Sequence, residues 1–430
     1  MLRGHKTYFK GLLRGIKLIS QKFIFLGFGF KAGSYFGKNL PEDLKKLNKI
    51  YAGLTDHEKT LFDNDHSNFL VEYMRLHYFW KKNVNKFKSS IHGLQSESKS
   101  VFLNQFLSLT EKKASPLEIL YFYKSSLKNL GKTMPEMKGK EALIFLILCS
   151  LIQIAPDDFL LKLYGNIKTE EILSLENIHL NKLLWSYCTM NFTNDKLQKD
   201  INSRLSLEMK KDGNGIFESN NLFKYMNSLS FYCALKYDET SFCHNILLGS
   251  LEKFFKNNQI SDKKACRSIW NFLTAISIKN PENLEKVNFL KKKVPIHTKG
   301  VFISELQLSV KKILSGYCEI NKLKFEEEKK ILCYYADFFV EPNVIIEVNG
   351  PFHYINNKTL RKFGFEEVKY QNFRTDNYSI IEINYLNWKR LLGYEQEIFV
   401  INYIYFFLFN QCVLRFEINS KTAKERLEKI

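Results

Sequence analysis

The chain reads as mainly α, an α-solenoid of helical hairpins followed by a C-terminal α/β module. Three observations predict this. From about Pro41 to Lys293 apolar residues recur at i, i+3, i+4 and i+7, with little strand-like alternation. Within that stretch an aromatic-rich segment returns at about 42 residues, the spacing of helical-hairpin solenoids. Beyond Pro295 the pattern switches to short β-branched and aromatic runs bounded by turn residues.

At 430 residues the chain is too long for one ordinary core, so two or three domains are expected. Its net charge is +19, which favours a polyanionic partner, RNA or DNA first. Lys, Asn, Ile, Phe and Tyr are all abundant, so about half of the lysine excess is ascribed to compositional bias. Eight cysteines lie scattered without a C-x-x-C pair, mostly in apolar stretches, which argues against a zinc site or a disulfide framework and suits a reducing compartment. The sequence contains no P-loop, Rossmann glycine fingerprint, H-E-x-x-H or G-x-S-x-G. Nucleotide hydrolysis, dehydrogenation and serine or zinc hydrolysis therefore lose support.

Residues 1–40 contain no acid, and the first one is Glu42. Phe9, Leu12, Leu13 and Ile16 recur at helical spacing, with Lys6, Lys10, Arg14 and Lys17 largely between them. A basic, acid-free amphipathic start predicts a mitochondrial transit segment, with a plastid address as the alternative. The apolar patch Phe23 to Phe30 is too short and too glycine-broken to span a bilayer.

Residues 41–294 form the expected repeat array. Segments beginning at Leu183, Ser228 and Arg267 each give an aromatic helix, a polar turn and the start of a second helix; a fainter copy begins at Ala142. One hairpin cannot bury both of its apolar faces, so neighbours stack and leave a concave surface suited to an RNA strand. Trp185, Tyr187, Tyr232, Trp270 and Phe272 are expected as core between repeats. The repeats loosely resemble the degenerate octotricopeptide and heptatricopeptide kind of organellar RNA-binding proteins.

Residues 301–410 form the module, and 411–430 a basic tail. Ser304 is placed to cap a helix over Ser304 to Leu314, with Glu305 in its first turn. Strand-like runs follow at Leu323 to Glu326, Ile331 to Val340 and Val344 to Val348. A helix is expected over Lys358 to Phe373, a strand over Tyr378 to Asn384, and a closing apolar helix over Asn387 to Phe409. The order is αβββαβα. Glu347 and Asn349 lie two apart on a strand and project from one face, with Asp337 on the neighbouring strand. This is the layout of a restriction-endonuclease-like fold with the signature D…(D/E)-x-K, in which paired carboxylates hold a divalent metal against a phosphate. Glu305 is placed as a third acid. Asn349 stands where the lysine belongs, and it cannot supply the positive charge.

The run Ile346-Glu347-Val348-Asn349-Gly350-Pro351-Phe352-His353-Tyr354, with Asp337-Phe338 before it and Ile380 to Ile383 and Trp388 after it, closely resembles the RAP domain, an RNA-binding domain abundant in apicomplexans. The one departure is Asn349, where that family usually has Asp. The resemblance covers about the last quarter of the chain. It implies organellar RNA binding tied to rRNA or mRNA processing, stability or ribosome assembly, and implies cleavage only weakly. The expected RNA contacts are Asn349, His353, Lys358, Arg361, Lys362, Lys369 and Arg374. One of these cations, projecting from a neighbouring element, could also replace the missing lysine.

Each motif residue also has a plainer role. Gly350-Pro351 makes a tight turn with Gly at positive φ, His353 satisfies its own turn, and Trp388 is core. Asp337 and Glu347 are hydrogen-bonded to backbone or lysine. The function expected is thus a non-catalytic mitochondrial RNA-binding protein without a cofactor, in which the solenoid tracks a strand. Such a protein could stand among ribosomal or other ribonucleoprotein subunits. The alternatives are an endoribonuclease using Glu305, Asp337 and Glu347 with Mg²⁺ or Mn²⁺, and a protein-binding scaffold. The last apolar helix is read as buried on the sheet rather than membrane-spanning.

Overall fold

The computed structural model describes residues 116–133, 139–210, 222–257, 259–260, 262–295, 303–356 and 359–409, with scattered positions between 49 and 109. The expected transit segment, the C-terminal tail and Lys358 lie outside the described residues. What is described is mainly helical, with a small sheet region near the C-terminal end.

The helices are α1 (Pro116–Thr133), α2 (Gly139–Ile152), α3 (Asp157–Asn166), α4 (Thr169–Leu173), α5 (Asn177–Met190), α6 (Asp195–Lys210), α7 (Leu222–Leu235), α8 (Ser241–Asn257), α9 (Lys263–Lys279) and α10 (Leu284–Lys293). Helices α2, α5, α7 and α9 start roughly forty residues apart and pack side by side as a first row. Helices α4, α6, α8 and α10 pack in turn as a second row. Tyr187 meets Tyr232 edge-on at 6.1 Å, and these two with Phe272 are buried between repeats as expected. Trp185 and Trp270 differ, because both are only partly buried. The Trp270 indole donates to the Val294 carbonyl at 3.1 Å and closes the last hairpin on itself.

The module begins with α11 (Glu305–Ile320). Ser304 caps it as the sequence predicts: its hydroxyl accepts from the Gln307 N–H, and the Ser304 N–H donates to Gln307 Oε1 at 2.7 Å. Strands β1 (Phe325–Ile331), β2 (Tyr334–Val340), β3 (Val344–Asn349) and β6 (Ser379–Asn384) form a sheet in the order β1-β2-β3-β6. The first three are antiparallel neighbours, whereas β6 runs parallel to β3. A parallel neighbour requires a crossover, supplied by α12 (Gly364–Thr375).

Three local expectations shift. The run Ile331 to Val340 is split by a hairpin turn, with Leu332 at a φ of 56°. The helix expected from Lys358 starts at Gly364, after a small ribbon of β4 (Tyr354–Asn356) and β5 (Arg361–Lys362). The closing helix is two, α13 (Tyr385–Arg390) and α14 (Gly393–Phe409), interrupted at Leu391-Leu392. No helix among the described residues is long and apolar enough to cross a membrane.

The sheet buries both faces. Phe338, Val340, Ile346, Val348, Ile381 and Ile383 pack against α11, Trp388 and α14. Ile345, Ala336 and Phe339 pack against Tyr370 and Phe373 of α12. The far side of α12 does not face solvent: Val368 joins the core of the array, and the helix lies on α5, α7 and α9. This corrects the expectation of an open concave surface along the whole first row. The module's own helix covers that surface from α5 to α9, because its apolar back needs burial as much as the first-row helices do.

Candidate nucleic-acid interface

Every residue of β3 is buried. Period-two geometry sends Ile346 and Val348 toward α11, and Glu347 and Asn349 toward α12. A carboxylate in such a place is costly unless it is paired. Glu347 is 2% exposed, and its Oε2 lies 2.7 Å from the ammonium of Lys369, itself 9% exposed. Lys369 also donates to the Tyr335 carbonyl at 2.8 Å. Asp337 accepts from the Gln307 amide and from the Val348 N–H, each at 2.7 Å. The side chain from the first helix that reaches Asp337 is therefore Gln307. Glu305, expected as a third acid, is exposed on the first turn, since a residue two positions from the inward Gln307 projects from nearly the opposite face of the helix.

Burial raises the Asp337 pKa, against the pull of Lys369, the Val348 N–H and His353. It pushes Glu347 up to about 8, with Lys369 opposing and Asp337 adding to the rise. Burial disfavours the Lys369 charge, but the carboxylates of Glu347, Glu366 and Asp337 outweigh it and the ammonium is held. Glu366 moves the other way: burial alone would raise it, but His353, Arg267 and Lys369 outweigh that and keep its carboxyl well below the usual range. The cluster thus holds one firm cation, one firm anion and two carboxyls raised by burial.

Asn349, 1% exposed, is a bridge within the fold. Its amide donates to the Tyr370 hydroxyl at 2.6 Å and to Glu382 at 3.0 Å. Glu382 also accepts from the Tyr354 hydroxyl at 2.7 Å and pairs with Lys362. Gly350 has a φ of −74°, so the tight turn does not use the positive φ expected there. The turn Pro351–His353 is instead clasped from outside. Arg75, in the helical stretch 71–77, donates to the carbonyls of Pro351, Tyr354, Ile355 and Gln153 and lies 5.2 Å from the centre of the Phe363 ring.

The other expected phosphate contacts separate clearly. Arg361 is spent on docking: it pairs with Asp157 at 2.7 Å and donates to the Met190 and Ala155 carbonyls. Asn349, Lys362 and Lys369 are likewise committed to protein groups, so they are corrected from RNA contacts to fold and docking residues. Buried polar groups take the nearest strong partner. Arg374 is exposed, 3.7 Å from Glu367. His353 is 39% exposed and 3.9 Å from Glu366. Trp388 is buried and donates to the Ser309 hydroxyl, as core.

For the nuclease alternative, Lys369 brings a lysine to Glu347 from a neighbouring helix, the substitution the sequence left open. Asp337 and Glu347 are the carboxylates a metal would need. Both Asp337 oxygens already accept protein donors, and only Oε1 of Glu347 has no partner. No group of three His, Cys, Asp or Glu among the described residues is arranged to hold a metal. The residues present do not fit a metal centre.

The helical layers and the β1-β2-β3-β6 sheet define a helical-repeat protein with a C-terminal α/β module. Residues 346–404, within the C-terminal module, match the family model of the RAP domain. No curated protein matches the chain.

Proposed function

We propose that the protein binds RNA without cleaving it, in the mitochondrion, and acts in the stability, processing or assembly of organellar rRNA or mRNA. The RAP domain carries this reading, since it points to nucleic-acid binding. The net charge of +19 supports it, as does the acid-free start of the chain for the address. The non-catalytic part rests on the closed carboxylate cluster, where Asp337 and Glu347 are held by Gln307, Val348 and Lys369. Ultraviolet crosslinking in cells, followed by sequencing of the bound RNA, tests the reading. Organellar transcripts are expected, and a protein recovered without RNA refutes it in favour of a protein-binding scaffold.

A second reading, a metal-dependent endoribonuclease, is favoured by one observation, the Lys369 ammonium beside Glu347. Pure protein incubated with organellar RNA and Mg²⁺ or Mn²⁺ decides. Cleavage that disappears in both Asp337→Ala and Glu347→Ala overturns the non-catalytic reading.

A further inference from the structure

We propose that single-stranded RNA crosses the seam between α9 and the module, held by Lys263, Lys264 and Arg267 on one side and His353 on the other, beside the Trp185 and Phe365 rings. This rests on the RNA-binding reading and places the contact where the sequence did not.

The seam is one continuous chain of contacts across three elements. The Lys264 ammonium lies 5.9 Å from the centre of the Trp185 ring on α5. Trp185 meets Phe365 of α12 edge-on at 5.6 Å. The Arg267 guanidinium lies 4.7 Å from the centre of Phe365. Arg267 is 3.8 Å from Glu366, which is 3.9 Å from His353. Lys263 and Lys264 are exposed, and the Arg267 side chain is 40% exposed.

Two features make this the favoured surface. First, three cations that the sequence offered for RNA contact are buried or half-buried against acids within the fold, Arg361 by Asp157, Lys362 by Glu382 and Lys369 by Glu347, whereas Lys263, Lys264 and Arg267 reach solvent. Second, cations here adjoin partly buried aromatic rings, the combination that serves backbone and bases of a single strand together. The acids nearby have other work. Asp262 caps α9 by accepting from the Ala265 N–H at 2.8 Å. Glu366 lies between Arg267 and His353, 3.8 Å from the one and 3.9 Å from the other.

Full-length protein is titrated against a fluorescent single-stranded 20-mer RNA at several salt concentrations. The variants are K263E/K264E and R267Q, with K253E/K256E on exposed second-row positions of α8 as the charge-matched control. The double variant is expected to bind about tenfold or more weakly, with a salt slope shallower by about 1.4, or ~0.7 for each phosphate that is no longer neutralised. R267Q is expected to weaken binding several-fold, and the control to stay within about twofold of wild type. Melting temperatures of the lysine variants are expected to match wild type, because both lysines are exposed. Crosslinks are expected on residues 263–270 and 351–365. Wild-type binding that all three variants retain equally overturns the seam and leaves the RNA reading standing. A wild-type protein that binds no RNA overturns both.

Discussion

Gly364→Ala tests whether the module and the array form one packed unit. A Cβ at Gly364 falls 2.1 Å from the Cys188 carbonyl oxygen, 3.0 Å from its carbon and 3.1 Å from the Phe231 ring. The obstacle is backbone at the end of α5, so no side chain can swing aside, and α12 must lift by about 1 Å to restore ordinary contact. That lift acts on Phe365, stacked on Phe231 at 3.9 Å and 8°, and on the Arg361 contacts with Met190 and Ala155. Overpacking of this kind costs about 1–3 kcal/mol, and disruption of the ring stack adds about 0.5–1.5. Alanine returns at most about 1 kcal/mol of helix propensity. For an unfolding unit of about 300 residues or more, a net loss of about 2 kcal/mol corresponds to a fall of roughly 2–3 °C in melting temperature. Thermal unfolding and hydrogen exchange at residues 364–375 are the assays. Gly393→Ala is the control, because nothing lies within 4 Å of its added Cβ. Equal melting temperatures for the two variants, with unchanged exchange in α12, refute the packing interpretation.

Further predictions concern the buried polar groups. Glu347 has its folded pKa raised to about 8, so the folded state holds a proton that the unfolded chain releases near 4.5. Its contribution is present below about pH 4.5 and is lost as pH rises toward 8, by at most ~1.4 kcal/mol per unit. Urea titrations across that window are expected to show the decline, and Glu347→Gln to flatten it; an identical slope in the variant counts against the cluster. Arg75→Met leaves four carbonyls without their donor and is expected to cost about 3 kcal/mol or more, read as a lower urea midpoint. Asn349→Asp puts a buried carboxyl beside Glu382, now 3.0 Å from the amide nitrogen. The variant should be less stable than wild type at pH 8 and closer to it at pH 5, and equal differences at the two pH values would contradict this.

Local sequence patterns already determined much of the module. Strict alternation put Glu347 and Asn349 on one face of β3. Ser304 announced its helix through a serine three residues before a glutamine. The family motif could be read directly from Ile346 to Tyr354. Each of these signals spans a few residues, which is the range over which backbone geometry dictates side-chain direction.

What only the tertiary structure decided is which faces meet. Gln307 rather than Glu305 reaches Asp337, thirty positions along the chain, because positions two apart on a helix project from nearly opposite faces and the buried one is Gln307. Lys369 reaches Glu347 from a helix rather than from the strand. Arg75 clasps a turn more than 270 residues away. Of the residues expected to read RNA, Asn349, Arg361, Lys362 and Lys369 are used by the fold to close itself, since a buried polar group is satisfied first by the acid or carbonyl that packing brings to it. The sequence by itself determined an array of hairpins ending in a RAP-like module; the tertiary structure decided that the apolar back of α12 is buried on that array.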